Sequence, residues 1–237
     1  MSRVAAEPRA RSSTTVSRPD RPPSATDWPA TLFLTLGSAA LLGFALARPE
    51  RFAELTRLHP FPAGFVKFFI LGAFGELLKR RLTSGRWWLE HVWERAVVWG
   101  LFGMWFVMVF PAFSLAVEGL VRQGLWPARV PGVSENLWLA FSKSFWLNGL
   151  GMYGWGMMVT HNYFDFVIQR RWRTWGLRAY AAHADRQFLL SFIPKTLLFW
   201  IAAQTFNFSR PPEWRVLIAA VLAIVLGFML GVGTRRK

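Results

Sequence analysis

The chain contains no cysteine. That excludes disulfide frameworks, cysteine nucleophiles and cysteine-based zinc sites, and it removes redox chemistry as a clue to compartment. Acidic residues are scarce: 13 Asp and Glu stand against 28 Lys and Arg, for a formal net charge of +15 over 237 residues. His59, His91, His161 and His183 fall at no metal-ligand spacing, so no metal is expected. Phosphate-binding glycine loops and dinucleotide fingerprints are missing too. With no paired acid–base or metal constellation in view, neither a cofactor nor an enzymatic activity is expected. High basicity also marks nucleic-acid binders, but no nucleic-acid-binding motif holds these basic residues, so that partner is not expected either.

What the chain has in quantity is apolar side chain: 53% hydrophobic and 16% aromatic residues, with 14 Trp and 22 Phe. Apolar bulk and strong positive charge coexist when the charges are confined to loops between membrane spans. A spanning helix needs roughly 17–25 predominantly apolar residues. Such stretches run approximately Trp28–Ala47, Phe61–Leu78, Ala96–Leu120, Leu137–Thr160, Phe188–Phe206 and Val216–Gly233. The expected fold is therefore all-α: a polytopic transmembrane helical bundle of about six spans, occupying residues 28–237. Three stretches are less apolar. The second carries Lys67 and Glu76, the fourth Lys143 and Asn148, and the fifth is interrupted by Pro194–Lys195.

Loop charges give the orientation. Six spans place the tail, Lys79–Arg95, His161–Gln187 and the C-terminus on one side, and together these hold eighteen of the 28 basic residues. The opposite side holds Arg48, Arg51, Arg57, Arg122, Arg129, Arg210 and Arg215. Positive charge collects on the cytoplasmic side, so both termini are expected there. Trp28, Trp87, Trp88, Trp93, Trp126, Trp138, Trp172, Trp175 and Trp214 lie at or just outside span ends, where amphipathic rings anchor at headgroup level. The bilayer is the expected partner. The tail, residues 1–27, is rich in Arg, Ser, Thr and Pro, has no apolar run, and is expected to be disordered. A bacterial cytoplasmic tail and an organellar transit peptide both remain open for it, hence a bacterial inner membrane or, alternatively, a mitochondrial inner or peroxisomal one.

Ionisable and amide side chains within spans are the functional candidates. Lys67 and Glu76 lie near opposite ends of the second span and are expected to snorkel to opposite interfaces. Glu118 nears the outer end of the third span, beyond a kink expected at Pro111. Lys143 and Asn148 lie deeper in the fourth, and Asn148 opens the run Asn148–Gly149–Leu150–Gly151–Met152–Tyr153–Gly154–Trp155–Gly156. Gly149, Gly151, Gly154 and Gly156, with Gly227 and Gly231 on the last span, are expected to let helices approach closely. Such faces could equally join two copies of the chain. On the fifth span Gln204 and Asn207 are three apart and share a helical face, with Arg215 just beyond. Two amides on one face either stitch helices together or line a polar path. His161 and Asp165 lie one turn apart, a pairing more often structural than catalytic.

The fifth-span run resembles the signature W-P-x-x-Q-x-x-N-F-x-x-V-P-x-x-x-R of the Mpv-seventeen/PMP-twenty-two family of small mitochondrial and peroxisomal membrane proteins. Trp200, Gln204, Asn207, Phe208, Pro211 (or Pro212) and Arg215 fit it, while Ile201 replaces a proline. His59–Pro60, Gly72, Gly75 and Glu76 resemble the family's H-P…G-x-x-x-G-D opening, and Arg95 its next-span arginine. Elsewhere the pattern thins to Pro111, Asn148 and Leu230. The resemblance implies a weakly selective channel for ions and small solutes, without a cofactor. On that reading Gln204, Asn207 and Arg215 line or support the outer mouth, and the intramembrane polar residues Asn148, Lys143 and Glu76 join them as candidates for pore lining or polar support. A non-conducting scaffold or assembly factor fits the same residues, and a membrane-embedded enzyme would have to use His161, Asp165 or His183.

Overall fold

A computed structural model describes residues 27–184 and 186–234, with side chains described over 28–184 and 197–229. The tail before residue 27, the Pro194–Lys195 side chains and the surroundings of Gly231 lie outside the described residues. Everything regular among the described residues is helical. The elements are α1 (Asp27–Ala47), α2 (Pro49–Leu58), α3 (Pro60–Ser84), α4 (Val92–Arg122), α5 (Glu135–Ser144), a π-helical stretch (Phe145–Leu150), α6 (Tyr153–Gln169), α7 (Leu177–His183), α8 (Arg186–Phe208) and α9 (Pro212–Thr234).

Local chemistry sets the boundaries. Proline occupies the first helical position of α2, α3 and α9, where its missing N–H has no intrahelical use. Ser134 caps α5 by accepting from the Leu137 backbone N–H at 3.3 Å. Gly85 ends α3 at φ 76°, a left-handed residue that glycine adopts without Cβ strain. Pro111 sits inside α4, which nevertheless continues unbroken from Val92 to Arg122.

Among the described residues, four helices are long and apolar enough to cross a membrane, over Trp28–Ala47, Pro60–Ser84, Val92–Arg122 and Pro212–Met229. They make the chain compatible with an integral membrane protein. Their outward faces agree: Leu32, Leu36, Leu46, Leu101, Leu115 and Phe228 are exposed, an arrangement suited to hydrocarbon rather than water. The two other expected spans differ from this for separate reasons. In α8 only the apolar portion Leu197–Phe208 falls among residues with described side chains. The stretch Leu137–Thr160 is not one helix. It breaks where Gly151 N–H bonds back to the Trp146 carbonyl at 2.8 Å, a π-type reach, and where Met152 takes φ 46°. The loop after α1 hides a short amphipathic helix, α2, whose Phe52 is buried against Trp214 with ring centroids 4.8 Å apart.

α3 is the central element. It runs antiparallel to α4, since Gly64 meets Gly103, Gly72 meets Trp99 and Glu76 meets Arg95. It runs parallel to α9, since Gly75 lies against Ile224 and Lys79 lies against Gly227. A Cβ on Gly64 would fall 2.7 Å from the Gly103 carbonyl oxygen, and one on Gly72 2.7 Å from the Trp99 ring. Close backbone approach at α3–α4 therefore depends on glycine. Between those contacts Phe68 packs on Trp99 and Phe106 at centroid distances of 5.9 and 4.8 Å. Phe106 continues to Phe110, which meets Phe208 edge-on at 5.7 Å.

Candidate functional site

At the end of the bundle where α3 finishes and α4 begins, charged side chains from three helices converge. Arg95 and Trp99 are one turn apart on α4, and His161 and Asp165 one turn apart on α6, so each pair shares a face. Both faces point at Glu76 of α3. Arg95 Nη1 donates to Glu76 Oε2 at 2.8 Å and to Asp165 Oδ1 at 2.5 Å. Trp99 Nε1 donates to Glu76 Oε1 at 2.6 Å, and His161 Nε2 lies 2.8 Å from the same oxygen. His161 Nδ1 stands 3.7 Å from Asp165 Oδ2, and its ring packs on Trp99 at 4.4 Å. These groups are largely withdrawn from solvent, the Glu76 side chain being 13% exposed and that of Arg95 10%. Buried charges persist when paired and hydrogen-bonded, and this cluster meets both conditions.

Ligand atoms of Glu76, His161 and Asp165 lie within 4.8 Å of one another, close enough to hold a metal ion. Arg95 already stands between the two carboxylates, so the observed arrangement is neutralised by a guanidinium. His183 does not join the cluster: it is exposed and packs on Phe166 at 5.3 Å. The three histidine and acid residues assembled here were invisible to spacing along the chain, because Glu76 and His161 are 85 residues apart. Glu76 stood out as an intramembrane charge and motif residue, and the turn-spaced His161/Asp165 pair carried the one signal from spacing.

Snorkelling of Lys67 and Glu76 is corrected by their surroundings. Glu76 turns inward to the cluster. Lys67 is 2% exposed, donates to Thr56 Oγ1 at 2.7 Å and lies 4.4 Å over the Phe52 ring. Helix α2 covers it, so its ammonium stays inside the bundle, beside a cavity at the α2 end, rather than reaching along the surface.

In the middle of the bundle Asn207 Nδ2 donates to Gln204 Oε1 at 2.7 Å, and both side chains are buried. Asn207 Oδ1 has no hydrogen-bond partner. Asn148, 2% exposed, donates to the Ser144 carbonyl at 3.3 Å. Ser144 Oγ in turn donates to the Ile201 carbonyl on α8 at 2.7 Å. Arg215 does not touch the amides. It donates to Ser114 Oγ at 3.2 Å and stands 5.3 Å over the Phe208 ring. Lys143 pairs with Glu118 at 2.6 Å.

The expected packing glycines divide. Gly154 abuts Asn148 Oδ1 and Trp200, and Gly227 approaches the Gly75 carbonyl oxygen. Gly151 crowds the Trp146 and Leu147 carbonyls of its own π turn and also meets Phe113 of α4, while the nearest neighbour of Gly149 is Phe145 of that turn. Gly156 is a correction: a Cβ there meets nothing within 4 Å, because it borders an open cavity of about 520 Å³ between α4 and α6. The glycines of closest approach are instead Gly64, Gly72, Gly100 and Gly103, in two spans whose length masked their small-residue spacing.

Three cavities adjoin one another along the bundle. The first, about 180 Å³, lies beside Lys67 and Arg215 at the α2 end. The second, about 10 Å³, is lined by Asn148 and Gln204, and shares Phe106 and Phe110 with the first. A site of that size admits about one water. The third, about 120 Å³, reaches His161, Asp165 and Lys79, and shares Trp99, Met157, Trp200 and Ala223 with the second. Comparison with family models, curated proteins and solved structures finds no match.

Proposed function

We propose that this protein is a six-pass membrane protein, both termini on the cytoplasmic side, that passes small ions or solutes through the bundle interior. The observation that carries the reading is the succession of adjoining cavities from Lys67 at one end to His161 and Asp165 at the other. Polar groups line each, and intramembrane polar groups around cavities mark pathways. Parallel α3 and α9 are compatible with the six-pass topology, as with a four-pass one, since helices of the same direction are separated by an odd number of crossings. α4, the broken α5–α6 unit and α8 supply three. Broken helices at membrane depth are tolerated where they border a cavity, as the π stretch does here. The central cavity, walled by Phe106, Phe110 and Trp200, is closed to anything larger than water, so passage requires movement of these rings.

The reading takes up the resemblance to the Mpv-seventeen/PMP-twenty-two family, several of whose motif residues touch one another in this chain. Gln204 bonds Asn207, Glu76 bonds Arg95, and Arg215 stacks on Phe208. Each contact joins two residues of the resemblance. A non-conducting scaffold is the second reading, favoured by the internal pairing of the Glu76 cluster. Purified protein in planar bilayers separates the two. Discrete conductance that changes with Gln204→Ala or Asn207→Ala is expected; silent bilayers containing folded protein would sink the channel reading.

A further inference from the structure

The cavity at the α2 end is lined by more positive than negative side chains. Lys67 is 2% exposed, yet no carboxylate lies within ion-pair distance of it among the described residues. Its single hydrogen bond goes to Thr56 and its ring contact to Phe52, so two ammonium N–H groups have no oxygen or nitrogen acceptor. Arg215 borders the same cavity; its hydrogen-bond partners are neutral, Ser114 and two backbone carbonyls, and the acids near it, Glu118 and Glu213, are each already paired, with Lys143 and Arg57. The remaining charges there are Arg57 and Glu213, paired at 3.8 Å. Three cations thus face one carboxylate around a space of about 180 Å³. A buried ammonium without an opposite charge is costly, and an incoming anion relieves that cost. The long helices α3 and α9 also begin here, at Pro60 and Pro212, and turn their positive ends toward the cavity.

We propose that this cavity binds a small monocarboxylate with an apolar body. Lys67 and Arg215 take the carboxylate, and the wall formed by Phe106, Val107, Phe110 and Pro111 takes the body. Size agrees, since one water needs roughly 10–15 Å³ of such space and this cavity offers many times that. The apolar wall disfavours polyanions and hydroxylated ligands, whose extra polar atoms on that side would face Phe106, Val107, Phe110 and Pro111. Binding here requires only the described geometry and does not depend on conduction through the bundle.

The test is calorimetric titration of the full chain, in nonionic detergent and chloride-free buffer, with benzoate and with benzyl alcohol. Saturable binding of benzoate and none of benzyl alcohol is expected. Lys67→Met should weaken benzoate at least about tenfold, as loss of a charge-assisted hydrogen bond does. Lys67→Arg should retain most of the affinity. As a second readout, Val107→Cys places the sole thiol of the chain in the cavity wall, and benzoate, but not benzyl alcohol, should slow its alkylation. This holds whether or not the Lys67 variants fold. No saturation with benzoate, equal binding of the alcohol, unchanged affinity in Lys67→Met, or no protection of the thiol introduced by Val107→Cys would each overturn the proposal.

Discussion

Replacing Arg95 with methionine removes the guanidinium that bridges Glu76 and Asp165 while keeping a long unbranched side chain among the helices. Three hydrogen bonds disappear, at 2.8, 2.5 and 3.1 Å to Glu76, Asp165 and the Glu90 carbonyl. More important is what stays behind. Two carboxylates whose ligand oxygens lie within 4.8 Å of each other then keep His161, the Trp99 indole N–H and the more distant Lys79, with no guanidinium between them. At an effective dielectric of about 20, two unit charges at that separation repel by about 3.5 kcal/mol. Breaking a buried pair by removing one partner costs about 3–5 kcal/mol in general, because the survivor is left uncompensated. With His161 offsetting part of it, Arg95→Met should destabilise by about 3 kcal/mol. Adding Asp165→Asn should return at least about 1 kcal/mol, since it removes the repulsion the first change created. Unfolding by SDS in mixed micelles, followed by far-UV circular dichroism, measures both. A loss below about 1 kcal/mol, the scale of a single intramembrane hydrogen bond, would show that the cluster does not hold the three helices together. Additive single and double variants would do the same.

Other outcomes follow from the same geometry. Gly103→Ala sets a Cβ against the Gly64 carbonyl oxygen and should destabilise by about 1–3 kcal/mol, because a backbone atom cannot step aside. Gly156→Ala, which meets nothing within 4 Å, should be neutral or stabilising by up to about 1 kcal/mol in the same unfolding assay. Lys143→Met should cost less than about 1 kcal/mol despite the 2.6 Å contact, since its partner Glu118 is 37% exposed and solvent screens what is lost. Phe106→Ala opens the wall shared by the first and second cavities and should raise unit conductance in planar bilayers; an unchanged conductance would place the constriction elsewhere.

Helices α1, α3, α4 and α9 were legible because an apolar run of spanning length has few other uses. The break between α5 and α6 was not, for a glycine-rich segment reads as close packing until the π turn and the left-handed Met152 are seen. α2 was hidden inside a charged loop, and with it the cover that buries Lys67. Within the site, the Gln204–Asn207 bond could be anticipated from their three-residue spacing on one helix. The Glu76 cluster could not, since its members come from α3, α4 and α6 and meet only through tertiary packing. Arg95 was visible solely as a motif residue, and its role as the bridge between two carboxylates needed the fold.

Passage through the adjoining cavities is tested most directly by thiol block, because the natural chain has no cysteine and any introduced one is unique. Thr56→Cys places a thiol in the first cavity and Asn162→Cys one in the third. A membrane-impermeant thiol reagent added from one side should block conductance through the Thr56→Cys protein, and from the opposite side through the Asn162→Cys protein. Conductance that survives modification at both positions, or block of both from the same side, would contradict a path through these cavities.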